Sequence, residues 1–122
     1  MKDSSFPERV FALSGVVDGN PRPFILQDGS NSVGRLPTSS ILLGSPSVSH
    51  RHAIVHLREG RITVRDLASK NGTIVNGRPV PDAELREGDG IRFGSIDLRV
   101  EEMDPEDTWL GITSPPRVTV PA

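Results

Sequence analysis

The feature that most constrains the fold of this chain is an alternation of apolar and polar residues with a period of two. It is clearest in "HAIVHL" at 52–57, "RITVRDL" at 61–67 and "IDLRV" at 96–100. Because successive side chains of a β-strand point to opposite faces, this period is typical of strands with one buried face. No stretch of ten or more residues shows a clear helical period. Only 82–90 offers a short helical turn, which Gly88 and Gly90 would end.

Dipeptides that favour tight turns separate the alternating segments. Glycine tolerates the positive φ angles that hairpin turns need, and Asn, Asp or Glu precedes it in each case. The pairs are Asp28-Gly29, Glu59-Gly60, Asn71-Gly72, Asn76-Gly77 and Asp89-Gly90. Roughly ten short strands between Val10 and Glu101, with turns between them, predict an all-β sandwich or barrel.

Length and composition exclude several classes of protein. The chain has 122 residues, a normal size for one domain, and its lack of cysteine excludes disulfides and thiolate metal sites. Its net charge of −2 argues against a general nucleic-acid binder. No apolar run reaches the ~18 residues of a membrane helix, and "MKDSSFPERV" lacks the apolar segment of a signal peptide. We therefore expect a cytoplasmic protein, or a cytoplasmic part of a larger multidomain protein, that is monomeric in isolation and binds no membrane.

The two ends of the chain differ from its middle. Residues 1–9 are polar, and residues 103–122 lack a sustained strand pattern. We interpret them as an N-terminal tail and a C-terminal tail or linker around a single domain at 10–102.

Three histidines at even spacings, His50, His52 and His56, raise the possibility of a metal site. On one strand they would share a face, but they would span about 20 Å from end to end, too far for one ion. Only the first two could chelate together, and neither a cysteine nor a clear carboxylate is near enough in sequence to complete the shell. We therefore expect no metal and no other cofactor.

A Ser/His pair for nucleophilic catalysis is a second possibility. Ser49 and His52 are an odd number of residues apart, so a straight strand would point them in opposite directions. Asp66 is available as a third group, but no nucleophile-elbow pattern surrounds the serine. The pattern does not favour an enzyme.

Anion binding explains the polar segments better. A phosphate favours a bidentate cation, hydroxyl donors and free amides, and "SVGRLPTSS" at 32–40, "SVSHRH" at 47–52 and "DLASKNGTIVNG" at 66–77 supply them together. None of these segments has the phosphate-binding pattern of a nucleotide-binding P-loop. A phosphorylated side chain of another protein fits three loops at one end of a sandwich better than a nucleotide does.

These segments, in this order, resemble the forkhead-associated (FHA) domain family. The matching pieces are Gly34-Arg35, Ser49-His50-Arg51-His52, Ser69-Lys70-Asn71-Gly72-Thr73, Val75-Asn76-Gly77 and "LREGDGIRFG" at 85–94. The resemblance implies an FHA/SMAD-like β-sandwich of about eleven strands. It also implies that the loops at one end bind phosphothreonine on partner proteins, downstream of Ser/Thr kinases.

The resemblance also implies roles for the matching residues. Arg35 would pair with the phosphate, Ser49 would hydrogen-bond it, Lys70 would help to line the site and Asn71 would hold the peptide main chain. The other residues assigned to peptide binding are Ser69, His50 and Arg51, although many members carry Asn or Arg where His50 stands. Structural roles fall to Gly34, His52, Gly72, Asn76 and Gly77.

Two points bear on the implied function. Some family members carry a basic residue two positions before the binding serine, where it reads an acidic residue of the peptide; this chain has Ser47 there, so we expect no strong acidic preference.

The competing interpretation is a scaffold or oligomerisation module with the same fold but without phosphate dependence. The joint presence of Arg35, Ser49 and Asn71 argues against it.

Overall fold

The computed structural model describes residues 10–103, which form two β-sheets and contain no helix. In chain order the strands are β1 (Val10–Val17), β2 (Asn20–Ile25), β3 (Gly29–Gly34), β4 (Ile41–Leu42), β5 (Ala53–Arg58), β6 (Arg61–Asp66), β7 (Thr73–Val75), β8 (Arg78–Pro79), β9 (Asp82–Leu85), β10 (Gly90–Phe93) and β11 (Ile96–Met103). It follows that no helix within 10–103 has the length and apolarity to span a membrane.

The strands form a six-stranded sheet in the order β2-β1-β11-β10-β7-β8 and a five-stranded sheet in the order β4-β3-β5-β6-β9. Neighbouring strands are antiparallel except β3 and β4, which pair in parallel. The first and last strands lie side by side, with Val10 opposite Met103. Both ends of the domain therefore leave from the same end of the sandwich.

The core lies between the inner faces of the two sheets. Leu13 and Val100, from neighbouring strands of one sheet, are 0% exposed, and Val55 and Val64 of the other sheet are at most 1% exposed. Each such aliphatic side chain contributes about 1.5–3 kcal/mol when it leaves water. The alternation seen in the sequence is thus the alternation between this core and the outer faces.

The structure confirms the all-β prediction, and the three alternating segments coincide with β5, β6 and β11. The suggestion of a helical turn within 82–90 is wrong. Residues Asp82–Leu85 form β9, and a tight turn follows in which the Asp89 amide donates to the Arg86 carbonyl at 2.9 Å. The predicted tails, 1–9 and 103–122, lie outside the described residues except for Met103, which ends β11.

We call four of the connections at the end of the sandwich opposite the chain ends the apical loops. They are the β3–β4 loop (35–40), the β4–β5 loop (43–52), the β6–β7 loop (67–72) and the β10–β11 turn (94–95). Strand register brings them together, because Ala53 pairs with both Val33 and Asp66, and Phe93 pairs with both Thr73 and Ile96. The segments that the sequence marked as polar therefore lie at one end.

Candidate functional site

The end of β3 positions Arg35 against the β4–β5 loop. A Cβ atom at Gly34 would overlap the carbonyl oxygen of His50, so only glycine permits this close approach of the two backbones. The Arg35 amide lies 3.2 Å from the carbonyl oxygens of both Ser49 and His50, and its Nε donates to the Val48 carbonyl at 2.8 Å. The side chain is otherwise exposed, so one guanidinium N–H is used for anchoring while the fork of terminal nitrogens points to solvent.

Ser49 joins two of the apical loops through its hydroxyl. Its Oγ accepts a hydrogen bond from the Lys70 amide at 3.0 Å, and its own amide donates to Nδ1 of His52 at 3.1 Å. Because the oxygen already accepts from the protein, the hydroxyl hydrogen remains to be donated outward. That arrangement suits an oxyanion ligand.

His52 lies beneath this serine and is fully buried. Since Nδ1 accepts from the Ser49 amide, Nε2 carries the hydrogen and donates to the Gly72 carbonyl at 2.8 Å. The ring also packs edge-on against Phe93, with centroids 5.6 Å apart. One imidazole therefore ties the β4–β5 loop to the β6–β7 loop and to the core.

Asp66, at the end of β6, organises the β6–β7 loop. Its Oδ1 accepts from the Ser69 hydroxyl at 2.5 Å and from the Thr73 hydroxyl at 2.8 Å, and its Oδ2 accepts from the Ser69 amide at 3.0 Å. Burial raises the pKa of Asp66. The hydrogen bonds from Ser69 and Thr73, together with the electrostatic interaction with His52, lower the pKa by more than burial raises it, so it lies below its ordinary value of 3.8. The ionised carboxylate is thus the form that holds the loop.

This lowered pKa predicts a loss of stability in acid. Because the folded pKa of Asp66 lies below the unfolded one, its contribution is complete above pH 3.8 and is lost as the pH falls through the lower folded value. We expect Asp66→Asn to unfold more easily than wild type at neutral pH, with the difference shrinking below about pH 4. Urea unfolding across pH 2.5–7 measures this, with Asp82→Asn, at an exposed carboxyl of β9, as the control. A difference that stayed constant with pH would contradict the assigned role.

Ser69 and Asn71, both predicted to bind the peptide, already have partners within the apical loops. The Ser69 hydroxyl donates to Asp66 and accepts from the Gly72 amide at 2.9 Å, so it braces its own loop. The Asn71 side chain uses one N–H to bond the Ser47 carbonyl at 2.8 Å and is exposed beyond that. Asn71 therefore keeps its amide oxygen and a second N–H for a ligand, whereas Ser69 has its oxygen engaged on both sides.

A chain of hydrogen-bonded serine hydroxyls links the β4–β5 loop to the β10–β11 turn. The Ser47 Oγ lies 2.8 Å from the Oγ of both Ser45 and Ser95, and it accepts from the Ser95 amide at 2.9 Å. A Cβ at Gly94 would collide with the Ser47 backbone, so that turn fits closely against the β4–β5 loop. The Ser47 side chain is consequently committed to holding the loops together.

The remaining site residues divide by position. His50, Arg51 and Lys70 are exposed on the apical loops beside Ser49, where their side chains face solvent. Asn76 and Gly77 form the β7–β8 turn away from them, with φ angles of 49° and 84°. The Asn76 Oδ1 accepts a hydrogen bond from the Gly90 amide at 2.8 Å, and its Nδ2 donates to the Asp89 carboxylate at 3.1 Å, so the side chain joins this turn to the start of β10.

The geometry also bears on the metal and catalytic alternatives. His50 and His52 precede β5 instead of lying on it, and His52 is buried while His50 and His56 are exposed, so the three rings do not converge. Within residues 10–103 no three His, Cys, Asp or Glu side chains are grouped to hold a metal ion. The Nδ1 of His52 accepts a hydrogen bond from the Ser49 amide and not from the Ser49 hydroxyl. His52 is therefore not placed to act as a general base toward that hydroxyl.

Sequence reasoning did not identify Asp66 as the organiser of the β6–β7 loop. The available signal was local: in "DLAS" at 66–69 an Asp precedes a Ser by three residues, a spacing that favours a side-chain-to-backbone turn. The Ser45–Ser47–Ser95 chain had no comparable signal, because Ser95 joins from a different sheet.

Comparison with known proteins shows what this arrangement resembles. The family model described as FHA domain matches residues 31–94, which is more than half of the chain and runs from β3 through β10. The glycogen accumulation regulator GarA of Mycolicibacterium smegmatis is 43% identical over 75 residues, covering 62% of this chain and 48% of GarA. The chain therefore spans about half the length of this curated relative.

Solved structures show the same fold. An FHA domain from an analysis of phosphothreonine-dependent FHA domain interactions has a TM-score of 0.71 at 35% identity, covering 80% of this chain and 98% of that one. The FhaA FHA domain, crystallised with the intracellular domain of Rv3910, has a TM-score of 0.68 at 34% identity, covering 76% and 99%.

Proposed function

Since this chain belongs to the FHA domain family, we propose that its apical loops bind phosphothreonine on a partner protein in Ser/Thr kinase signalling. The observation that carries the proposal is the joint presentation of the Arg35 guanidinium and the Ser49 hydroxyl. Both are anchored by backbone contacts, to Val48 and Lys70, and both keep donors for a ligand. No step of bond making or breaking is involved, so the site acts by binding alone.

The chemistry of a phosphate matches these groups. A phosphothreonine brings a charge of about −1.5 to −2 and three acceptor oxygens. The planar fork of Arg35 can engage two of them, and Lys70 and Arg51 add positive charge from the neighbouring loops. Charge-assisted hydrogen bonds are worth roughly 1.5–3 kcal/mol each, so a few of them with main-chain contacts support a Kd of about 1 μM.

Asn71 and Ser47 suggest how the rest of the peptide is read. The free amide atoms of Asn71 suit a peptide main chain, which offers a donor and an acceptor at each residue. The Ser47 hydroxyl is occupied by Ser45 and Ser95, so it has little to offer an acidic peptide residue. We therefore infer that phosphothreonine and backbone contacts dominate, with no strong preference for acid at the peptide position this serine would face.

The test is a calorimetric titration of peptides selected from a degenerate library with a fixed phosphothreonine. We expect a Kd of about 1 μM for the phosphothreonine form and no binding of the unphosphorylated form. Binding that ignored phosphorylation would favour the scaffold interpretation and refute the proposal.

A phosphoserine version of the same peptide tests for a niche around the threonine methyl group. One methyl in a fitted apolar pocket is worth about 1–3 kcal/mol, so we expect at least about tenfold weaker binding. The same titration measures it, with the unphosphorylated peptide as the blank. Equal affinity for the two phosphopeptides would show that the apical loops form no such niche.

A further inference from the structure

A groove of about 420 Å³ crosses the outer face of the six-stranded sheet, over strands β1, β11, β10 and β7. Its lining includes Gly90, which the strand register places opposite Arg99 and which has no side chain to fill the space. The fold does not need glycine there. A Cβ atom at Gly90 would meet only the Asn76 Oδ1 within 4 Å, at an ordinary contact distance of 3.7 Å. The groove is therefore open space on the surface that a side chain from outside can enter.

A row of longer side chains lies beside the groove on the same face, and we call it the ridge. Asp97 of β11, Arg92 of β10 and Ile74 of β7 pair with one another across the sheet, so they form this one row. A salt bridge of 3.2 Å joins the first two. The ridge is two residues along the strands from Gly90 and Arg99, which form the groove row. A projection and a recess therefore lie in adjacent rows of one surface.

The charges of this face alternate in sign along β11. Asp97, Arg99 and Glu101 follow one another at intervals of two residues, so they point to the same side of the sheet. Glu101 accepts a hydrogen bond from Ser14 at 3.1 Å. Arg99 is exposed and forms no ion pair with another residue of 10–103. An exposed carboxylate and an unpaired guanidinium in adjacent rows suit a surface that carries the same two charges in the opposite order.

We propose that this face joins two copies of the chain in a symmetric dimer. A two-fold axis that runs across the strands, between the ridge and the groove row, sets the ridge of each copy over the groove row of the other. Arg92 of the second copy then projects toward the groove at Gly90, and Asp97 of the second copy faces Arg99. Each contact occurs twice, as an isologous interface requires. Because one face provides both members of each contact, a second copy is the partner that its shape and charge match.

Apolar side chains extend this matching toward the edge of the sheet. The register pairs Val16 with Pro21 in the row of the ridge, and Ser14 with Pro23 in the groove row. The same axis sets Val16 over Ser14, and Pro21 over Pro23, of the second copy. Val16, at 61% exposed, is the most exposed large apolar residue of the described part of the chain. Association therefore removes this side chain from water.

The dimer leaves the apical loops accessible. Since the axis runs across the strands, the strands of the two copies point in opposite directions, and so do their apical loops. The inference does not depend on phosphopeptide binding. A dimer differs from the monomer expected from the sequence, in which the residues of one row are scattered over β1, β7, β10 and β11.

Sedimentation velocity of the full chain at rising concentration measures the association. We expect the weight-average mass to rise from that of one chain toward twice that value. Gly90→Val fills the groove where the fold leaves room for a Cβ atom, so it should weaken association by at least about tenfold with circular dichroism unchanged. Gly44→Val makes the same change in the β4–β5 loop, where a Cβ atom meets nothing within 4 Å, and should associate like wild type.

Charge exchange tests which residues face each other. Asp97→Arg and Arg99→Asp each set like charges against one another in a dimer of that variant, so each alone should weaken association by at least about tenfold. An equal mixture of the two variants should associate again, because every position 97 then faces a position 99 of opposite charge. A mass that stays at one chain at every concentration would overturn the proposal. So would association that these variants and Gly90→Val leave unchanged, or a mixture that does not associate.

Discussion

Replacing Arg35 by alanine is expected to weaken binding of a phosphothreonine peptide by about a hundredfold or more. The variant removes two charge-assisted hydrogen bonds to the phosphate at roughly 1.5–3 kcal/mol each, and about 1.4 kcal/mol corresponds to a factor of ten. The fold should persist, because the side chain is exposed and its one internal contact, from Nε to the Val48 carbonyl, lies in a loop. Calorimetric titration together with thermal unfolding measures both effects.

Two further variants make the Arg35 result specific. Arg35→Lys keeps the charge but loses the planar fork, so it should recover only part of the affinity. Arg58→Ala removes the same charge from the far end of β5, and it should bind like wild type. If Arg35→Ala and Arg58→Ala lost affinity equally, the effect would be general electrostatics and the assigned phosphate contact would be wrong.

Most of the fold could be predicted because its signals are local. The alternation in β5, β6 and β11 reflects burial on one face, and Asn76-Gly77 forms the predicted turn with both φ angles positive. The β1–β2 hairpin shows a limit. Its Asp18-Gly19 turn also has positive φ angles, but Pro21 and Pro23 follow it and argue against a strand. They are tolerated because β2 is an edge strand, a fact of topology that periodicity does not reveal.

Other elements had no local signal at all. β4 has two residues and pairs in parallel with β3, so neither its length nor its pattern distinguishes it from a loop. The segment 82–90 contains residues that favour helices, yet β9 forms there because Leu85 completes the core opposite Ile62 of β6. In both cases a long-range partner decides the local conformation.

The candidate site shows the same difference between features with a local sequence signal and features that depend on long-range contacts. The ordered motifs predicted which residues would face a ligand, and the structure brings Arg35, Ser49 and Lys70 together through backbone contacts. What the motifs did not show is how those residues are held. The Asp66 carboxylate organises its loop through three hydrogen bonds, one of them from Thr73 on the next strand. Such support depends on the fold, because Thr73 joins the loop only once β7 has paired in its sheet.

Replacing His52 by alanine is expected to destabilise the domain by about 3 kcal/mol, since a cavity forms and two hydrogen-bonding groups lose their partner. The Ser49 amide and the Gly72 carbonyl would be left unpaired beneath the surface, and Phe93 would lose its edge contact. For a domain of this size the midpoint of thermal unfolding should fall by more than about 10 °C. Thermal unfolding followed by circular dichroism measures it.

Two further variants distinguish a residue that stabilises the loops from one that contacts the ligand. Ser49→Ala should leave the thermal midpoint nearly unchanged, because the contact of its hydroxyl with the Lys70 amide is exposed, while it weakens phosphopeptide binding through loss of the proposed phosphate donor. His52→Asn should lose only part of the stability, since its amide oxygen can still accept from the Ser49 amide but cannot reach the Gly72 carbonyl. If His52→Ala kept full stability and lost only binding, His52 would contact the ligand directly. The link between the β4–β5 and β6–β7 loops would then depend on the Ser49–Lys70 and Asn71–Ser47 contacts instead.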